Sequence, residues 1–138
     1  MPVHLEHISQ PTEQDWIDLG KIYTDAPQDW LTDANDIKAS LQQLLDQDIW
    51  FIAGRFNARL LGAMQAEKDG DNIILRHFCV RKITIKRGVA HQMLHHMNVW
   101  ADKNGYTLIV KDLPEALANS LINRGFIQNN QDFERNPK

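Results

Sequence analysis

The hydrophobic pattern of the first fifty residues predicts a strand followed by two helices. Val3 to Ile8 alternates as a strand does, and a helix is expected after Thr12, its N-cap, with Asp15 three residues later completing a capping box. Asp33 is placed to cap a second helix. Its apolar positions recur every three or four residues, as one face of a helix requires: Ile37, Leu41, Leu44 and Leu45.

The middle of the chain changes to a strand pattern. Ile49 to Arg55, Leu60 to Ala66 and Ile73 to Val80 are apolar runs rich in β-branched or aromatic residues. Phe56 to Ala58 and Asp69 to Asn72 separate them, and both contain residues that favour tight turns. The pattern predicts an antiparallel meander of three strands.

The last third of the chain returns to alternating helices and strands. A helix is predicted from Arg87 to Asn104 with Gly105 at its C-terminal cap, followed by a short strand from Thr107 to Val110. Asp112 to Glu115 has the spacing of a capping box for a last helix that ends at Gly125, and a final strand is expected from Phe126 to Phe133. The resulting order, β-α-α-β-β-β-α-β-α-β, is that of a mixed α/β protein.

Composition narrows the class of protein. The 138 residues correspond to a single domain, residues 1–138, that is large enough to bury a core. The net charge of −3 disfavours general nucleic-acid binding, and no apolar run approaches the ~20 residues that a membrane span needs. The N-terminus lacks the features of a signal peptide, and the single cysteine, Cys79, fits a reducing compartment. We therefore expect a cytoplasmic protein.

The strongest chemical signal is the basic loop from Arg81 to Ala90, which follows a strand and opens a helix. A helix N-terminus presents backbone N–H groups without intrahelical partners, and Gly88 allows a ligand to approach them closely. Five basic residues lie within twelve positions without an acidic residue among them: Arg76, Arg81, Lys82, Lys86 and Arg87. The combination favours a phosphate site over a solvated basic loop, although neither a P-loop nor a GxGxxG motif is present.

The order of elements and this loop resemble the GNAT family of acetyl-CoA-dependent acyltransferases, whose loop is Q/R-x-x-G-x-G/A. Gly88 and Ala90 match that motif, whereas Ile85 stands at the leading Gln/Arg position. The hairpin Ala53 to Gly62 and the ending Asn123 to Phe126 are also similar to the family.

The resemblance implies a mostly antiparallel central sheet flanked by helices, with acetyl-CoA or CoA as ligand. It places the backbone of Phe78, Cys79 and Val80 beside pantetheine. The pyrophosphate would be held by the amides of the basic loop, and the candidate residues there are Arg81, Lys86, Arg87, Gly88, Val89 and Ala90.

Three stretches are closer to the PanZ (or PanM) family of acetyl-CoA-dependent maturation factors of aspartate 1-decarboxylase. They are Asp18 to Ile22, Arg55 to Leu61 and Val80 to Val89. The resemblance implies that the chain binds the decarboxylase proenzyme and promotes its self-cleavage, which supplies β-alanine for pantothenate synthesis. It suggests that Arg55, Asn57 and Arg59 contact the partner. The alternative is a simple hairpin turn with flanking charges.

Catalytic groups are sparse. GNAT enzymes often place an acidic Tyr four residues before the Gly of the final G-F, and Leu121 stands there. His77 is the one neutral-pH titratable group of the predicted central strand and the weak candidate for a catalytic residue. The pattern favours a binding or regulatory role. An N-acetyltransferase acting on a small amine or peptide is the alternative, and an interaction module without acyl-CoA is a third.

Two further features favour structural explanations. Cys79 is expected to be a buried, unreactive thiol rather than an acetyl acceptor. His91 and His95 have the i, i+4 spacing of a two-histidine metal site, but no third ligand is evident, so we expect no metal.

Overall fold

The computed structural model describes residues 2–26, 38–39, 42–43, 46, 49–84 and 87–138. Most of the predicted second helix, including its apolar face, lies outside the described residues. So do Trp30 and two residues of the basic loop, Ile85 and Lys86.

The centre of the fold is a seven-stranded sheet. In chain order its strands are β1 (His4–His7), β2 (Trp50–Phe56), β3 (Arg59–Asp69), β4 (Asn72–Val80), β5 (Thr107–Val110), β6 (Ile127–Asn129) and β7 (Asp132–Arg135). In space they lie in the order β1-β2-β3-β4-β5-β7-β6. β4 and β5 pair in parallel, and the other neighbours pair antiparallel. The predicted meander, β2 to β4, is confirmed.

Three helices are described over their full length. They are α1 (Glu13–Thr24), α2 (Val89–Asn104) and α3 (Ala118–Asn123), with 3-10 turns at Lys82–Thr84 and Glu115–Leu117. Thr12 and Asp15 form the predicted capping box of α1. Gly105 caps α2 with a φ of 74°, a left-handed conformation that costs glycine little. No helix of the described part of the chain is long and apolar enough to cross a membrane.

Two expectations for the C-terminal third are wrong. The predicted capping box at Asp112 does not form: Pro114 occupies the N-cap position without a side-chain cap hydrogen bond, and Asp112 has a φ of 56° in the turn after β5. The single strand predicted from Phe126 to Phe133 is a hairpin of β6 and β7, because Asn130 (φ 60°) turns the chain between them.

The helices bury two cores on opposite faces of the sheet. α2 packs through Met93, Leu94 and Met97 onto one face, and α1 packs through Leu19, Ile22 and Tyr23 onto the other. Gly62 permits the close approach of α2, because a Cβ added there would lie 2.6 Å from the Met93 sulfur. The sheet is therefore packed between the two helices, and the candidate site lies at the C-terminal end of β4.

Candidate functional site

β4 separates from β5 half-way along its length. The parallel pairing runs from Asn72 with Thr107 to Leu75 with Val110, and the Lys111 amide then donates to the Leu75 carbonyl at 2.8 Å. Beyond this point β5 has ended, and the chain turns away at Asp112. The second half of β4 is thus paired with β3 on one side only. Its other edge has no strand partner among the described residues, and we call the space beside that edge the cleft.

A β-bulge at His77 aims the backbone of β4 into this cleft. Its φ is 54°, and the register with β3 moves from Arg76 opposite Gln65 to Cys79 opposite Ala63, so β4 holds one extra residue. The Arg81 amide donates to the Leu61 carbonyl at 2.9 Å.

The direction of the other backbone groups follows by alternation along the strand. Since Arg81 faces β3, the backbone of Cys79 also faces β3. The backbone groups of Phe78 and Val80 then point away from β3, toward the cleft. All three side chains are buried in the cores, so this strand offers its backbone edge rather than its side chains to a ligand.

The start of α2 forms the second part of the site. The first i→i−4 bond of α2 runs from the Gln92 amide to the Gly88 carbonyl, 3.0 Å, which leaves the amides of Val89, Ala90 and His91 without intrahelical acceptors. Gly88 has a φ of 82° and makes no side-chain cap, and a Cβ built on it would meet nothing within 4 Å. These amides without intrahelical acceptors lie at the positive end of the helix dipole, next to the open space beside Gly88.

The cations of the basic loop, and Arg76 before it, differ in their ion-pair partners. Arg81 Nε lies 3.6 Å from a carboxylate oxygen of Asp25, and the same oxygen accepts the Lys82 amide at 2.9 Å. This carboxylate at the end of α1 fixes the start of the loop. Arg76 pairs with Glu67 at 3.1 Å on the surface. The Lys82 and Arg87 side chains are exposed and have no carboxylate partner among the described residues, so they remain available to an anion.

His77 lies at the bulge with two polar neighbours. Its Nδ1 is 2.9 Å from the side-chain amide nitrogen of Gln65, and the Tyr23 hydroxyl donates to its carbonyl at 3.4 Å. Burial raises the pKa of Tyr23 well above its usual range, so that phenol stays protonated. Sequence reasoning missed Gln65 and Tyr23, because only the strand register and the packing of α1 bring them to His77.

Neither Cys79 nor Leu121 supplies an acid or a nucleophile. Cys79 is buried, as expected, and burial followed by the charge of Asp25 raises the pKa of its thiol, which disfavours the reactive thiolate. Leu121 is fully buried in the core on the α2 side of the sheet. The position of the usual GNAT acid is therefore filled by an apolar anchor.

The β2–β3 hairpin is fastened to α1 by ion pairs. Arg55 binds both Glu6 and Asp15, and Arg59 Nη2 lies 2.6 Å from the buried carboxylate of Asp18, which also accepts the Leu60 amide at 3.0 Å. Asn57, at the hairpin tip, is exposed with a φ of 48°. Both arginines therefore have a structural role, and contact with a partner stays a prediction for all three residues.

The two histidines of α2 have different neighbours. His91 accepts a hydrogen bond from Arg124 Nε at 3.1 Å, and the His95 ring lies next to that of His96 with centroids 5.7 Å apart. Within the described ranges, no group of three or more His, Cys, Asp or Glu side chains is arranged to hold a metal ion.

Comparison with known proteins identifies the family. Residues 2–129 match the family model described as the acetyltransferase (GNAT) domain, PanZ. The chain belongs to the PanZ family. A relative in this comparison is the PanD regulatory factor of Salmonella typhimurium strain LT2, which is 34% identical over 95 residues. That match covers 69% of this chain and 63% of the Salmonella protein's length.

Solved structures share the fold. The solution NMR structure of YhhK from Escherichia coli, bound to coenzyme A, superposes with a TM-score of 0.71 at 23% identity, covering 99% of both chains. The E. coli ribosomal-protein-S18-alanine N-acetyltransferase gives a TM-score of 0.71 at 12% identity, covering 98% of this chain and 94% of that one. Together they confirm the predicted GNAT fold with its mostly antiparallel sheet.

Proposed function

We propose that this PanZ-family chain acts as one acetyl-CoA-binding domain, in the cytoplasm, that binds the aspartate 1-decarboxylase proenzyme and promotes its autocatalytic cleavage. The observation that carries the proposal is the cleft between β4 and β5, which meets an open helix N-terminus. Membership in the PanZ family and the name of the Salmonella relative, a PanD regulatory factor, supply the partner.

The groups around the cleft match the parts of acetyl-CoA. A pantetheine arm carries amide groups that pair with a free strand edge, and Phe78 and Val80 offer such an edge. A pyrophosphate suits the free amides of Val89 and Ala90 beside Gly88, with Arg87 and Lys82 as counter-charges. Lys86 belongs to the same proposal, although it lies outside the described residues.

A regulatory role fits the cleft better than turnover does. Acetyl transfer to an amine needs a base for the ammonium group and an acid for the leaving thiolate. Leu121 and Cys79 can serve as neither. A bound ligand can instead favour the protein state that recognises the partner, provided that it binds that state more tightly. The exposed hairpin tip, with Asn57 and Arg59, is the proposed contact with the proenzyme, together with Arg55.

An N-acetyltransferase is the second candidate function, and His77 is the observation in its favour. The imidazole lies at the bulge of β4, and Gln65 holds its Nδ1. If the Gln65 amide donates to Nδ1, the His77 proton resides on Nε2, which then acts as a hydrogen-bond donor. Release of free thiol from acetyl-CoA across a panel of small amines and peptides tests this function.

Complex formation tests the first function directly. We expect sedimentation velocity to detect a complex between this protein and the proenzyme from the same source when acetyl-CoA is present, and a much weaker one without it. An interaction of equal strength with and without acetyl-CoA would rule out the ligand-dependent mechanism. Sustained thiol release with an amine, without any complex, would replace the proposal by the acetyltransferase.

A further inference from the structure

β1 is an edge strand whose outer backbone groups can be identified. The Ile8 amide donates to the Phe51 carbonyl at 2.7 Å, in the register that pairs His4 with Arg55. Alternation along the strand then turns the backbone of the even-numbered residues toward β2. The N–H and C=O groups of Leu5 and His7 point away from the sheet, and nothing in the described part of the chain pairs with them.

Two residues before Leu5, at Val3, the outer edge of β1 is already hydrogen-bonded to side chains of α2. The Val3 amide donates to Gln92 Oε1 at 2.8 Å, and the Val3 carbonyl lies 2.8 Å from His96 Nε2. At Val3, Gln92 and His96 thus make the two backbone hydrogen bonds that a neighbouring strand would make. Among the described residues, no equivalent partner follows for the outward backbone groups of Leu5 and His7.

A groove with an aromatic wall follows this open edge. Its volume is about 530 Å³, and its lining residues from α2 and β2 are Trp50, Ile52, His96, Met97 and Trp100. Trp50 and Trp100 meet edge to face with centroids 6.0 Å apart, and Trp50 is 36% exposed. Such a surface suits a bulky apolar side chain.

The other end of the groove is basic. It continues through His4 and His96 into a cavity of about 400 Å³ lined also by Gln92, His95 and Arg124, and none of the described residues that line it carries a carboxylate. The carboxylate of Glu6, which lines the aromatic part, is bound to Arg55. Arg124, the cation of this cavity, also donates a hydrogen bond to His91, and burial followed by the charges of Arg124 and His95 lowers the pKa of that histidine.

We propose that this groove binds an extended acidic segment of a partner protein, which adds to β1 as an eighth strand. Leu5 and His7 supply four backbone hydrogen bonds, the standard mode of strand addition. The β1 strand runs from the basic end at His4 to the aromatic end at His7, whose ring is 6.5 Å from that of Trp50. In the more stable antiparallel pairing, the segment carries an aromatic residue near its N-terminus and carboxylates near its C-terminus.

A second copy of β1 is a poorer occupant. It would bring His4 and His7 to a groove that already contains His4, His95 and Arg124, and its one acidic residue, Glu6, is already paired. Charge complementarity therefore favours an acidic partner.

Two synthetic peptides test the proposal. Acetyl-Phe-Thr-Val-Thr-Asp-Glu-amide carries the expected pattern, and its matched control replaces Asp-Glu by Lys-Lys. We expect the acidic peptide to shift the Leu5 and His7 amide signals in ¹⁵N-edited NMR spectra and to bind at least about tenfold more tightly than the control. Equal affinities, or shifts confined to other surfaces, would overturn the proposal.

Charge-reversal variants distinguish peptide binding in the groove from a general effect of the protein's charge. Arg124→Glu should weaken the acidic peptide at least about fivefold, whereas Lys103→Glu, the same charge change on an exposed residue of α2, should leave it nearly unchanged. His7→Pro removes one outward N–H but keeps the ladder to β2, and it should also weaken binding. Equal effects of the two charge reversals, or a dimer of the free protein that His7→Pro dissociates, would contradict the proposal. We expect saturating acetyl-CoA to change none of these peptide affinities. A failure of this proposal can therefore be distinguished from a failure of the acetyl-CoA-dependent function.

Discussion

Gly88 joins two properties at the start of α2. Its φ of 82° favours glycine, and a Cβ there would have no described residue within 4 Å. Gly88→Glu adds bulk, backbone strain and a negative charge beside the amides proposed to hold the pyrophosphate. We expect calorimetry to detect a loss of acetyl-CoA affinity of at least about 100-fold.

The matched control for that variant is Gly20→Glu. Gly20 lies on α1, where an added Cβ also meets nothing within 4 Å. It adds the same charge away from the loop, and acetyl-CoA affinity should stay within about twofold. Binding retained by Gly88→Glu would show that the pyrophosphate lies elsewhere.

The packing of α2 on the sheet depends on Gly62. A Cβ at this position would lie 2.6 Å from the Met93 sulfur, 2.8 Å from a Val80 methyl and 3.2 Å from the Cys79 carbonyl. Gly62→Ala should therefore destabilise the protein by about 1–3 kcal/mol, as overpacking of a core does. Gly20→Ala, in the open part of α1, should be neutral or stabilising. Urea unfolding measures both, and an equal effect of the two substitutions would contradict the tight helix–sheet contact.

The contact between α1 and the β2–β3 hairpin depends on Asp18. Burial by itself would raise its pKa, but hydrogen bonds from Arg59 and from the Leu60 amide outweigh burial and lower it. Asp18→Ala leaves the buried Leu60 amide without its acceptor, which should cost about 1–3 kcal/mol in free energy of unfolding. Glu67→Ala, which breaks the exposed pair with Arg76, should cost at most about 1 kcal/mol. Equal losses in free energy of unfolding for the two variants would contradict the conclusion that the buried Asp18 contact stabilises the protein more than an exposed ion pair does.

The sequence predicted most elements because their signals are local. The capping box at Thr12 and Asp15, the turn glycines and the strand alternation each depend on residues a few positions apart. The error at Asp112 has a different origin. The sequence has the spacing of a capping box there, but Asp112 has a positive φ in the turn after β5, and the capping hydrogen bonds do not form. The turn at Asn130 lies in a polar stretch, Gln128 to Asp132, that the predicted final strand wrongly includes.

The candidate site likewise combines one feature that the local sequence predicts with contacts that it does not predict. The motif around Gly88 identified the helix N-terminus, because strand, loop and helix follow one another in the chain. The roles of Asp25, Gln65 and Tyr23 depend on residues 12 to 57 positions away, and a single sequence does not reveal such contacts. Likewise, the capping box predicts a role for Asp15 but not its ion pair with Arg55. The ion pair of Asp18 with Arg59 is not evident from a single sequence either.

At the scale of the whole molecule, acid should destabilise the fold through its paired carboxylates. Hydrogen bonds from Arg135 and the Lys138 amide lower the pKa of Asp102 to about 2, and Asp15 and Asp18 are also lowered from 3.8. The unfolded chain therefore binds protons first as the pH falls. Since the pKa of His91 is lowered as well, we expect the free energy of unfolding to fall slightly as the pH drops below about 6.5 and to decline further between about pH 4 and 2. Asp18→Asn with Asp102→Asn should flatten that decline, and an unchanged slope in urea titrations would contradict the assignment.

The central claim is that acetyl-CoA, held between β4 and the start of α2, enables this protein to promote maturation of the decarboxylase proenzyme. The most direct measurement is the rate of proenzyme cleavage on denaturing gels, with this protein present and acetyl-CoA either present or absent. We expect acceleration only when both are present, and none with Gly88→Glu. Cleavage at the unassisted rate in all samples, with acetyl-CoA bound nonetheless, would contradict the claim.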